Sequence, residues 1–235
     1  MPTYKGSAKV RTIYHGDTKI ARIFKDIKVF GDYKTITKTV TTNGTVVVPA
    51  NVFRVDLLVI GGGGGGATST FYHGNKWQGR AGASGAVCQS IFTGQAAKDL
   101  RGKTLTYTVG AGGVAGGGAV SPGPNSSGGR NGGDAGTSTL TGDEIVMSAT
   151  GGKGGMGGWY DNGHAAIAGT ATGGNYLNKN GYVAPYNASN VFAPTPSAWD
   201  DTITGCGAGG WQESYDGTIH AGVTGCVSWV FYVSE

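Results

Sequence analysis

Val55-Asp56-Leu57-Leu58-Val59-Ile60 is followed at once by Gly61-Gly62-Gly63-Gly64-Gly65-Gly66. The first six residues read as a buried strand. That strand runs straight into a backbone without side chains. Glycine accounts for 47 of 235 residues, and all but four of them (Gly6, Gly16, Gly31 and Gly44) lie between Gly61 and Gly225. Such a chain loses much backbone entropy on ordering. The bland reading is a disordered linker. Five Trp, eleven Tyr and seven Phe argue against it, as do strand-like runs at both ends of the region.

The glycines keep a period of three. Gly79, Gly82 and Gly85 show it, and so do Gly110, Gly113 and Gly116. In 151–159 the triplet Gly-Gly-x occurs three times, and Gly207 with Gly210, then Gly222 with Gly225, echo it. A polyproline II helix has three residues per turn, so one face of each segment would be bare backbone. Bare faces let neighbouring segments approach closely and bond through N–H and C=O groups. Collagen shares the period but needs proline between the glycines, and seven prolines exclude it.

Around these segments the pattern is that of strands. Residues 36–48 are rich in Thr and Val, and Thr42-Asn43-Gly44-Thr45 reads as a hairpin turn. Residues 53–60, 87–92, 104–109 and a hairpin turning at Gly142-Asp143 continue the framework, with one helical turn over 96–100. Residues 226–233 are apolar on both faces, which suits a central strand. The expected fold is all-β: a β-sandwich-like framework carrying packed polyproline II glycine helices joined by long irregular loops. Residues 1–35 are expected to form a separate N-terminal β segment, and 36–235 one glycine-rich domain.

Charge separates the same two parts. Residues 1–38 hold nine Lys/Arg against three Asp, while the remainder holds nine basic and eleven acidic groups. The lysines are spread along alternating short strands rather than clustered, which favours a solvated edge or a docking surface over a nucleic-acid site. No apolar run is long enough to span a membrane, and no signal peptide is evident, so the chain is read as made in a cytoplasm.

Chemical motifs are weak. Gly61-x-Gly63-x-x-Gly66 matches a dinucleotide fingerprint in form, but no helix follows and the next acid after Asp56 is Asp99. Cys88, Cys206 and Cys226 are odd in number and far apart, which is neither a disulfide framework nor zinc spacing. His15, His73, His164 and His220 lack ligand-spaced neighbours. Asp161, Asp200, Asp201, Glu213 and Asp216 could supply paired carboxylates or a cation site, but no spacing sets two of them face to face. The chain reads as non-enzymatic, with no cofactor and no metal.

Several stretches together carry a resemblance. They are Val46-Val47-Val48-Pro49-Ala50-Asn51-Val52, the opening strand with its glycines, and Tyr107-Thr108-Val109-Gly110-Ala111-Gly112-Gly113. Gly136-Thr137-Ser138-Thr139 and Ala149-Thr150-Gly151-Gly152-Lys153-Gly154-Gly155 complete the set. The chain resembles the glycine-rich domains at the tips of bacteriophage tail fibres, and is similar in style to the distal adhesins of T-even-like phages. The order of elements covers residues 37–158, and 225–233 fit a closing strand. Residues 159–224 match in style only, and the N-terminal segment departs from the attachment domain of the T-even adhesins. The resemblance implies a rigid glycine core whose loops contact a bacterial outer-surface receptor, protein or glycan. Those loops would be 68–78, 119–127, 159–204 and 211–220. It also implies a place in the virion tail, docking to other tail or fibre proteins through 1–35, and a homotrimer, since most fibre tips are trimeric.

The residues between the glycines fit that expectation. Phe71, Tyr72, Trp77, Trp159, Tyr160, Tyr176, Tyr182, Tyr186, Phe192, Trp199, Trp211 and Tyr215 sit among Asn, Ser, Thr, Gly and Asp. Large rigid rings with small adaptable polar groups are the composition of a paratope. Some of these rings would instead cap a bundle that has no side-chain core of its own. Two other classes stay open: a purely structural collar, plug or baseplate part, and an ice-binding protein. The latter would want a flat, thread-like face that these irregular loops do not offer.

Overall fold

The computed structural model describes residues 14–15, 18–19, 33–72, 75–77, 79–117, 129–157, 166–183, 195–201, 205–212 and 218–234. Within residues 1–32 it gives one small pair, β1 (Tyr14–His15) against β2 (Thr18–Lys19). The other expected strands of 9–32 lie outside the described residues.

The body is nearly all β. β3 (Tyr33–Val40), β4 (Gly44–Val47) and β5 (Val52–Ile60) open it, followed by the short β6 (Thr70–Tyr72) and β7 (Asn75–Trp77). β8 (Val87–Thr93), a single helix α1 (Gly94–Asp99) and β9 (Thr104–Thr108) come next. β10 (Ser138–Gly142), β11 (Ile145–Ala149), β12 (Ala171–Thr172), β13 (Leu177–Lys179) and β14 (Cys226–Ser234) complete the chain. Two antiparallel five-stranded sheets result, in the orders β13-β8-β5-β14-β3 and β12-β11-β10-β9-β4. β6 and β7 pair apart from both.

The two sheets share one core. Val55, Leu57 and Val59 of β5 and Val227, Trp229 and Phe231 of β14 meet Leu105, Tyr107, Leu140 and Met147 from the other sheet. The alternate residues of the same strands face a second cluster. Ile60, Val87 and Cys226 are covered there by Ala198, Tyr182 and Cys206. That double burial is why β5 and β14 are apolar on both faces, and β14 lies between β3 and β5 as a central strand does.

The turn expected at 42–45 is not a hairpin. β3 pairs with β14 and β4 with β9, so the chain crosses from one sheet to the other there. Asn43 fixes the crossing, its Oδ1 accepting from the Val109 N–H at 2.8 Å. Gly44 is needed for space: a Cβ there would lie 2.7 Å from the Tyr107 hydroxyl. The hairpin at Gly142-Asp143 forms as expected, with Gly142 opposite Ile145.

Beyond Ile60 the chain leaves the sheet and enters the glycine region. Residues 61–69 are all buried. Their N–H groups donate in strict rotation to three neighbouring segments. Gly61, Gly64 and Ala67 give to Ala86, Ala83 and Arg80. Gly62, Gly65 and Thr68 give to Gly136, Gly133 and Arg130, while Gly63 and Gly66 give to Val223 and His220. Acceptor numbers fall as donor numbers rise, so these three segments run antiparallel to 61–69. The carbonyls face three others. Gly62 and Gly65 accept from Gly152 and Gly155, Gly63 and Gly66 from Gly113 and Gly116, and Gly64 from Gly210. The first two of these segments run parallel to 61–69. Six backbone segments thus surround one, and backbone polarity is satisfied between segments rather than by side chains.

Contact between backbones leaves no room for a Cβ. At Gly63 it would stand 2.8 Å from the Gly207 carbonyl oxygen and nearer still to the Ala208 carbonyl.

The long irregular loop expected over 159–204 is also partly corrected. β12 and β13 within it close one edge of each sheet. Asparagines hold the turn between them. The Asn175 amide bonds both the N–H and C=O of Ile91, at 2.8 and 3.1 Å, and the Asn178 amide bonds both those of Gly174, at 2.9 and 2.8 Å. Residues 68–78 were likewise expected to be a loop. They contain the β6–β7 hairpin, with Thr70 opposite Trp77 and Tyr72 opposite Asn75.

Candidate functional site

Hydrogen-bond registers give the molecule two ends. The chain moves away from the sheets along 61–69, 110–117, 150–157 and 207–212. It returns along 79–86, 129–137, 166–170 and 218–225, and each return is followed by a strand. At the sheet end the connections are the strands themselves. At the far end stand the β6–β7 hairpin and the described ends Gly117, Gly129, Gly157, Ala166, Gln212 and Thr218.

The far end is built around Thr68 and Ser69. The Thr68 hydroxyl donates to the Gly117 carbonyl at 2.7 Å, tying the central segment to the start of one connection. Ser69 is buried, and its hydroxyl donates to Gln212 Oε1 at 2.7 Å while accepting from the Gly79 N–H at 3.2 Å. The β6–β7 hairpin rises directly from this anchor. Beside it, Trp211 stacks on His220 with ring centroids 4.3 Å apart and planes 19° from parallel. The two residues are also joined by backbone, His220 N–H to Trp211 C=O at 2.6 Å, and Gln212 bridges Ile219. Asn131 accepts from the Gly157 N–H at 2.8 Å and fixes the foot of another connection.

The residues proposed from sequence are divided between regions. Phe71, Tyr72 and Trp77 belong to the far-end hairpin, and Trp211 stands beside it. Tyr176 and Tyr182 are elsewhere. Tyr176 is 67% exposed next to the β8–β13 edge, its N–H on the Gln89 carbonyl. Tyr182 packs against the Ile60 cluster with the Lys179 ammonium 4.8 Å above its ring, the capping role that the sequence also allowed. Trp199 is 43% exposed in a turn held by Ser197, and its neighbour Ala198 packs with Ile60 and Cys226 on the flank. Trp159, Tyr160, Tyr186, Phe192 and Tyr215 lie outside the described residues.

On the side of the bundle, Asp134 accepts from Lys153 Nζ at 2.7 Å and the Gly154 N–H at 3.0 Å, which lowers its carboxyl pKa. Asp201 is a turn residue with φ 55° and its N–H on Ser197. Asp161, Glu213 and Asp216 lie outside the described residues. Among the described residues, no three His, Cys, Asp or Glu side chains stand together as a metal site would require.

Sequence reading missed two groupings. The exposed Tyr33 and Phe53 and the half-buried Tyr232 form a ring cluster, with centroids 6.0 to 6.2 Å apart, at the end of the sheet opposite the glycine bundle. Arg54 lies 4.9 Å over the Tyr232 ring and is held by both oxygens of Asp56 at 2.8 Å. Only the strand ends, three ring residues far apart in sequence, could have signalled this cluster. The second grouping is the meeting of Cys206 and Cys226 in the cluster around Ile60. Their spacing carried no signal for it.

A family model described as a glycine-rich domain matches residues 38–232. Comparison with curated proteins gives no match.

Proposed function

This chain belongs to the glycine-rich domain family, and we propose that it is a receptor-binding protein of a bacteriophage tail. The observation that carries the reading is the polarity of the bundle. Sheets occupy one end, and at the other the β6–β7 hairpin that carries Phe71, Tyr72 and Trp77 stands with Trp211 on a foundation of buried backbone bonds. A stiff base that holds rings and small polar groups in place lowers the ordering cost of binding. In this reading the glycine segments have polyproline II geometry, which the three-residue hydrogen-bond rotation supports.

The far-end rings, with Phe71, Tyr72, Trp77 and Trp211 foremost, contact a protein or glycan on the bacterial surface. The basic segment 1–35 joins the rest of the tail at the opposite end, where the Tyr33–Phe53–Tyr232 cluster stands next to its exit. The assembly is a homotrimer, to be checked by light scattering. The central test is competition. Folded protein added in excess should bind host cells and slow phage adsorption. Protein that is folded yet neither binds cells nor slows adsorption would remove the proposal.

A further inference from the structure

Cys206 and Cys226 are separated by a full excursion to the far end and back, yet their side chains meet. Cys226 is 3% exposed in the cluster with Ile60, Val87 and Ala198, and Cys206 packs onto that cluster from a half-buried position. The backbones are held together beside them. The Gly207 N–H donates to the Thr224 carbonyl at 3.1 Å, and the Cys206 carbonyl accepts from the Ser197 hydroxyl at 2.7 Å. Both cysteines carry free thiols. Cys88 is excluded from this meeting, because its side chain faces the core between the sheets.

We infer that Cys206 and Cys226 are a redox site, closing to a disulfide by exchange with a small-molecule disulfide such as oxidised glutathione. Cys206 attacks and Cys226 resolves. The Cys226 thiol donates a hydrogen bond to Cys206 and lowers its pKa, while its own is raised by that bond and by burial. The half-exposed sulfur is therefore the better thiolate, the property that selects an attacking cysteine.

The Cys206 thiolate attacks one sulfur of the small disulfide, and one small thiolate leaves. The Cys226 thiol then gives its proton to the released small thiolate and attacks Cys206 Sγ, expelling the second small thiolate, which takes a proton from solvent. One small disulfide and two protein thiols become one protein disulfide and two small thiols. The protein sulfurs are oxidised and the small ones reduced. The bond would staple the foot of the excursion that carries Trp211 and His220. A chain made in a reducing compartment would be stapled on reaching an oxidising one.

The full-length protein is incubated with oxidised glutathione, remaining thiols are alkylated, and intact mass and peptides are read. The expected product has lost two hydrogen masses, links Cys206 to Cys226 and leaves Cys88 alkylated. Its Tm should rise by roughly 5–10 °C, a rise absent in Cys206→Ser. Cys226→Ala should stop at a mixed disulfide on Cys206. A wild-type protein that keeps both thiols, stops at the mixed disulfide, or links Cys88 instead would overturn the inference. That wild-type mapping decides the matter even where a variant fails to fold.

Discussion

Gln212 replaces a backbone carbonyl for Ser69, its Oε1 accepting from the Ser69 N–H at 3.1 Å and from the hydroxyl at 2.7 Å. Three and six residues earlier in the same row, Gly66 and Gly63 donate to the main-chain carbonyls of His220 and Val223. For this third donor in the row the acceptor is a side chain rather than a main-chain carbonyl. Gln212→Leu would leave a buried N–H and a buried hydroxyl without that acceptor. An orphaned buried polar group costs about 1–3 kcal/mol. The expected loss is about 2–4 kcal/mol, read as a lower urea midpoint with an unchanged slope. An unshifted midpoint would show that the far end is not anchored through this contact.

Glycine in the central segment should be irreplaceable for steric rather than conformational reasons. Gly63→Ala drives a methyl group into the Ala208 carbonyl, and backbone on every side cannot move away. A cost on the order of 4 kcal/mol or more, or failure to fold, is expected. Gly94→Ala is the matched control. Gly94 has φ 59° but open space around it, so the change should cost only about 1 kcal/mol. Circular dichroism melts of the two variants compare crowding with strain directly. Equal costs would refute the crowding argument.

Acid should loosen the bundle slightly through Asp134. Lys153 and the Gly154 N–H lower its folded pKa below the unfolded value. The stabilisation is therefore complete above the unfolded pKa, near 4 for Asp, and disappears as pH falls through the folded pKa. The pair is more than half exposed, so screening holds its contribution under about 1 kcal/mol. Asp134→Asn should lower stability slightly at pH 7 and flatten the acid limb below about pH 4. A urea series from pH 2 to 7 on both proteins checks the sign.

The sheets were legible in sequence because strands obey local rules. The runs at 53–60, 87–92, 104–109 and 226–233 each became a strand, since aliphatic and β-branched residues declare a half-buried pleat by themselves. The period of three marked the glycine segments for the same reason. Partner choice was not legible. Asn43-Gly44 is a hairpin signal on any local view, yet its glycine serves the Tyr107 ring from a strand in the other sheet. In 159–204, the short β12 and β13 have no apolar alternation of their own and exist through asparagine bonds to Ile91 and Gly174. The same blindness put Tyr176 and Trp199 in one group with Trp211, because loop membership carries no information about which end of the bundle a loop serves.

That separation gives the sharpest test of the functional proposal. Trp211 stands at the far end, stacked on His220, and Trp199 on the flank close to the sheets. If the far end meets the receptor, Trp211→Ala should weaken binding to host cells about tenfold or more, as loss of a ring at an interface centre does. Trp199→Ala should bind nearly as the parent does. Removing the stack also costs stability, about 1 kcal/mol, so binding is compared at a temperature where melts show both variants folded. A larger loss at Trp199 would move the receptor face to the flank. Equal, negligible losses, together with an unchanged host range when 70–78 and 213–217 are exchanged with those of a relative, would favour a purely structural part. The combination expected is a shifted host range from the exchange and a binding loss confined to Trp211.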